Sequence, residues 1–211
     1  MTGMSMPQQT WYGAATGFLG MWMAMMVPMM LPSLIPMLSR YRRSVQGADG
    51  IHLHELTALA GMGYFVIWAI VGAVVYAAGI GLMTIEMRWG TVERWLPVAT
   101  GVALLAAGGV QITSWKARQL SICREGSACD SASVPTARGA WGHGLTLGVR
   151  CSLCCGGLML ALLAIGMMEL FAMVAVTLAI SAERLTPVPL RVARAVGVAI
   201  LAVGVVTIVR V

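Results

Sequence analysis

Long apolar stretches, broken by short charged ones, set the rhythm of the chain. Residues 11–38, 56–83, 96–112, 144–182 and 190–208 are nearly free of charge. An upright membrane helix needs about 20 apolar residues at ~1.5 Å rise each. The pattern therefore predicts an all-α, polytopic transmembrane helix bundle of about five spans, forming one integral membrane domain over residues 1–211. The fourth stretch is too long for one upright span. It is either steeply tilted, or broken near Gly156–Gly157 or at Gly166. Glu169 lies within it, beside Met167 and Met168, and a carboxylate at membrane depth marks a candidate functional group.

The first stretch contains MWMAMMVPMM followed by two further prolines. Pro28, Pro32 and Pro36 recur every four residues, so they share a face, and each removes an amide donor. A kinked first helix, buried in the bundle, is expected. Met21, Met25 and Met29 form one row at i, i+4 spacing, and Met26 with Met30 forms another. These rows either fill the irregular space around a kink or offer thioethers to a soft metal ion. The second stretch is rich in Gly, Ala and Val, which suits close helix packing. The segment after Trp115 and Lys116 reads as a flexible, exposed loop holding Cys123 and Cys129, long enough to fold Cys123 back onto the start of the fourth stretch.

That start holds CSLCCGGLM, residues 151–159. If Cys151 begins a helical turn, Cys154 and Cys155 stand at i+3 and i+4 on the same side, and Met159 adds a thioether one turn deeper. Thiolates and thioethers suit Cu(I), while zinc sites take Cys, His and carboxylate. Copper is therefore favoured and zinc is the second candidate. The ligand set read from the sequence is Cys151, Cys154, Cys155, Cys123, Met159 and His143, with Met25 and Met26 as a weaker exchangeable path. A plainer reading makes each Cys a small apolar residue. His52, His54 and Glu55 form another candidate group, in a solvated loop.

Composition narrows the function classes. The chain is 59% hydrophobic and only 10% charged, against about 25% charged in soluble domains, and its mean hydropathy is +0.84. The net charge of +6 fits membrane topology and lipid attraction, with no nucleic-acid partner. No Walker lysine loop, dinucleotide fingerprint or nucleophilic triad can be named, so no nucleotide partner and no energy-coupled pump acting alone is expected, and a non-catalytic role is preferred to an enzymatic one. The first span follows no basic leader and precedes Arg40, Arg42 and Arg43, so it is expected to remain as an anchor. With five spans, nine of the fourteen Lys and Arg residues fall on the side of the cysteines. The positive-inside rule then puts the N-terminus outside and the Cys cluster near the cytoplasmic face. Five Cys cannot all pair, and a reducing cytoplasm keeps thiols available as ligands. A membrane thiol–disulfide oxidoreductase and an accessory subunit of a larger membrane complex are the alternatives to metal handling.

The pieces MWMAMMVPMMLPSLIP, VQITSWKARQLSICRE and GHGLTLGVRCSLCCGGLM, in that order, resemble an uncharacterised bacterial family of predicted metal-binding integral membrane proteins. That resemblance covers most of the chain. It implies a bacterial inner-membrane protein whose signature positions are Met25, Met26, Pro28, Gln111, Lys116, Cys123, Cys151, Cys154, Cys155 and Met159. Gly156 stands where the family pattern has Trp, and of a pair of loop cysteines only Cys123 remains.

Overall fold

The computed structural model describes residues 11–44, 50–89, 92–129, 136–166 and 169–210. They form seven helices and, among the described residues, no strand: α1 (Trp11–Ser44), α2 (Gly50–Trp89), α3 (Val92–Ile112), α4 (Ser114–Cys129), α5 (Ala137–Ile165), α6 (Leu170–Leu185) and α7 (Pro189–Val209). Four helices are long and apolar enough to cross a bilayer. The pair Pro97–Ile112 and Ser114–Cys123, bent by 65°, makes a fifth span if counted as one. Large apolar side chains such as Val74, Phe171, Leu178 and Val198 point outward.

One expectation changes and one is narrowed. The segment after Trp115 is helical, where the sequence pattern predicts a flexible loop. Thr113 breaks the ladder: its hydroxyl donates to the Val110 carbonyl at 2.7 Å and accepts from the Lys116 amide at 3.4 Å. The chain bends there and resumes as α4. The long fourth stretch is broken, at Gly166, the second of its two glycine sites. α5 ends at that residue, whose φ of 121° is strained for any residue with a Cβ, and α6 turns back along α5. Glu169 therefore sits in an exposed turn before α6, outside any helix interior. Met167 and Met168 lie outside the described residues.

The hairpin redraws the topology. α1 and α2 run antiparallel, joined where Phe18 meets Tyr76 and Trp22 donates to the Trp68 carbonyl at 3.0 Å. α5 runs parallel to α2, so closely that a Cβ at Gly144 would overlap the Ala60 carbonyl. α3 and α7 cross antiparallel through small residues: Gly108 lies on Leu201 and Gly197, and Gly204 on Leu104. Since α6 returns to the level of Cys151 and α7 leaves it again, the start of α1 and the end of α7 lie at the same end of the bundle. The five-span pattern predicts them at opposite ends. It does so because it counts two antiparallel helices as one span.

α1 passes through Pro28, Pro32 and Pro36 as one continuous helix. One face is buried, with Trp22, Met26, Met30, Leu34 and Tyr41, and the other is exposed at Met21, Leu31 and Ile35. The main core joins that α1 face to Tyr64 and Trp68 of α2, Cys151, Cys155, Leu158 and Met159 of α5, and Val176 and Ile180 of α6.

Candidate metal centre

The three cysteines of α5 share one inward face, as their i, i+3, i+4 spacing requires. Cys151, Cys154 and Cys155 are each no more than 2% exposed. Cys151 and Cys155 belong to the main core cluster, and Cys154 packs in a small cluster with Cys123 of α4. The bend at Thr113 brings this fourth thiol in. Cys123 donates to the carbonyl of Arg150, one residue before Cys151, at 3.2 Å. All four are free thiols.

The sulfurs surround a cation supplied by α6. Nη2 of Arg184 lies 3.1 Å from the Cys151 sulfur, 3.5 Å from that of Cys155 and 3.7 Å from that of Cys123. Nη1 lies 3.8 Å from the thioether of Met37, and the Tyr64 hydroxyl touches Cys151 at 3.0 Å. Among the described residues, no three His, Cys, Asp or Glu side chains form a ready-made cage for an ion. The guanidinium stands at the point where the sulfurs converge. A single positive charge thus already occupies a soft, thiol-lined site.

A second set of buried charges fixes α6 at this place. Lys116 and Glu183, 1% and 2% exposed, form an ion pair at 2.8 Å. Gln111 donates to the other Glu183 oxygen, and Lys116 donates to the Cys154 carbonyl at 2.7 Å. Such a pair is tolerated in a dry interior only when every member is hydrogen-bonded. Here it ties the α3–α4 bend to the last turn of α6 and to the thiol helix. Glu183 and Arg184 are adjacent on α6, so they point in different directions, one toward Lys116 and the other toward the sulfurs.

The remaining sequence candidates fall at different distances. Met26, fully buried, and Met159 share the core with Cys151 and Cys155, and Met25 is half-buried against that core. His143 stacks on Tyr41 with ring centroids 4.8 Å apart, two helical turns before Cys151, so the structure does not bring it to the thiols. His52 lies 3.5 Å from Glu55 on an exposed stretch of α2. The side chain of Cys129 lies outside the described residues. Three participants escape the sequence pattern: Arg184, Glu183 and Met37. The signal for the first two is an ionic pair, Glu-Arg, ending an apolar run, with a glycine break one helix-length upstream.

No curated protein and no solved structure matches this chain. The family described as PpoB2, copper chaperone, matches residues 19–207, a stretch that contains every thiol, charge and thioether of the centre. The chain belongs to the PpoB2 copper-chaperone family.

Proposed function

We propose that this protein holds Cu(I) in the membrane and passes it on, binding it between Cys151, Cys155 and Cys123 with Met37 and Met159 as nearby thioethers. The observation that carries the reading is the ring of three sulfurs, all within 3.7 Å of one guanidinium nitrogen. Soft sulfur donors select Cu(I) over harder ions. With two of the three cysteines as thiolates and the third as a neutral thiol, the Cu(I) site carries a net single negative charge, and Arg184 offsets it where an unbalanced charge would be costly. Copper entry moves the guanidinium off the point of convergence while keeping it beside the sulfurs, as an outer partner of the metal. Tyr64, on Cys151, orients one ligand.

The test is an anaerobic competition titration of the full chain in detergent against a chromophoric Cu(I) chelator. One Cu(I) should bind per chain. Arg184→Gln should weaken it about 10- to 100-fold, the range for outer partners of metal ligands, and Cys155→Ser should weaken it further. Unchanged affinity in Cys155→Ser would remove the thiol centre from the function.

The hairpin favours one membrane orientation. With α6 turning back, Arg184, Arg191 and Arg194 join the thiol end of the bundle and Arg210 leaves it, so eleven of the fourteen Lys and Arg residues gather there. That asymmetry supports a thiol centre at the cytoplasmic boundary of a bacterial inner membrane, with both chain ends outside. Single cysteines placed at Thr2 and at Arg210, in a cysteine-free background, should both react with an impermeant maleimide in intact cells. One at Ser44 should stay protected. Labelling at Thr2 but not Arg210 would restore five spans and contradict the hairpin.

A further inference from the structure

The ring around Arg184 uses the sulfurs of Cys151, Cys155 and Cys123. Cys154, on the same inward face of α5, has no role in the copper site proposed above. It is 2% exposed and packs with Cys123, Leu120 and Ala193 in a small cluster of its own. The backbone fixes how closely these two thiols approach. The Cys123 thiol donates to the Arg150 carbonyl at 3.2 Å. Within α5 the same carbonyl accepts the amide of Cys154, four residues on. A helical side chain leans toward the N-terminus of its helix, so the Cys154 thiol leans back over the turn on which Cys123 rests. Other pairings are poorer. Residues three or four apart on a helix hold their Cβ atoms about 5–6 Å apart and adjacent residues face different ways, while a disulfide needs Cβ atoms about 3.5–4.5 Å apart. A bridge within α5 therefore requires the helix to unwind, and one from α4 does not. Cys151 is already engaged by Tyr64 at 3.0 Å and Arg184 at 3.1 Å. Cys123 also has access to small molecules: a cavity of about 520 Å³ between α1, α4 and the α6–α7 turn has Cys123 on its wall and none of the three α5 thiols.

We propose that Cys123 and Cys154 form a redox pair, which a peroxide closes into a disulfide and which thereby removes one thiol ligand from the copper centre. The inference rests on the Cu(I) reading above and adds a control to the same site. The peroxide enters the cavity and meets Cys123. The Cys123 sulfur attacks the O–O bond, which breaks, and the departing hydroxide takes the thiol proton and leaves as water. Cys123 is then a sulfenic acid. The Cys154 sulfur attacks it, the S–S bond forms, the S–O bond breaks, and the hydroxyl leaves as a second water with the Cys154 proton. Two electrons pass from the two thiols to the peroxide. The bridged Cys123 sulfur is no longer a thiolate donor, so Cys151 and Cys155 remain without their partner from α4. Small thiols of a reducing compartment reopen the bridge by exchange at Cys123. Two of them are oxidised to their disulfide, and both protein thiols are restored.

The experiment treats the full chain, metal-free and reduced in phosphatidylcholine nanodiscs, with hydrogen peroxide, removes the oxidant by desalting, alkylates the remaining thiols and maps the peptides by mass spectrometry. Fragment spectra should join Cys123 to Cys154 and find Cys151 and Cys155 alkylated. In a parallel chelator competition, Cu(I) affinity should fall by more than the ~10- to 100-fold typical of losing an outer partner, and dithiothreitol should restore it. In Cys154→Ala the sulfenic acid at Cys123 should persist and react with dimedone. The map of the unsubstituted chain decides the pairing even where that variant folds poorly. A bridge within α5, four free thiols after peroxide, or a bridged chain that binds Cu(I) as tightly as the reduced one would each overturn the proposal. If the reduced chain binds no Cu(I), the Cu(I) reading itself fails and takes the control of copper with it, even where the bridge is mapped.

Discussion

Two kinds of helix junction in this protein bury their contacts in opposite ways. Where α2 meets α5 and where α3 meets α7, glycines let backbones touch: Gly144 on Ala60, Gly148 on Ile67 and Tyr64, Gly197 on Gln111 and Ile112. Where α4, α5 and α6 meet, the contact is made by Lys116, Glu183, Arg184 and four thiols. The first kind of junction depends on van der Waals contact, since lipid supplies little hydrophobic drive between helices. The second keeps charges in a dry place by pairing each with a partner from another helix. A membrane bundle needs only the first kind to hold together. The second kind marks the place where the fold gives up simplicity for chemistry.

The comparison is broken most severely at the ion pair. Lys116→Met should destabilise the folded chain by about 3–5 kcal/mol, because Glu183 is left buried without its cation. Adding Glu183→Leu to that variant should recover most of the loss, while Cu(I) affinity stays low because α6 is no longer pinned beside the thiols. Both are read from unfolding in mixed detergent micelles together with a copper titration. Full recovery of copper affinity in the double variant would show that the pair has no positioning role.

Smaller effects separate the glycines by their surroundings. Gly144→Ala should cost about 1–3 kcal/mol, the usual range for overpacking, since the new methyl group meets the Ala60 backbone, which cannot move aside cheaply. Gly156→Ala should be neutral or stabilising by up to about 1 kcal/mol, because nothing lies within 4 Å of its added Cβ and a helical glycine carries an entropic cost. Equal unfolding midpoints for the two would mean that the α2–α5 seam is loose.

The glycine junctions and the thiol junction are not equally legible in the sequence. The apolar runs, the Gly-rich second helix and the Cys151, Cys154, Cys155 face all follow from local spacing, and the helices honour them. Arg184 and Lys116 belong to the centre through contacts 33 and 38 residues away in the chain, and no periodicity encodes such a meeting. The break at Gly166 is visible as one of two options, but helix length alone does not choose between a tilt and a turn. Without that choice Arg184 falls at the wrong end of the bundle, and the cation at the heart of the centre stays hidden. Cys123 is read almost correctly, as a residue folding back on the cluster. Its carrier is a helix redirected by Thr113, a bend that a run of polar residues resembles only as a loop.

The most direct test of the thiol centre is X-ray absorption at the copper edge on the full chain loaded anaerobically with one equivalent of Cu(I). Sulfur alone should surround the ion, with the sulfur count falling by one in Cys155→Ser and unchanged in His143→Ala. A shell dominated by nitrogen or oxygen, or one indifferent to Cys155, would contradict copper binding at this site.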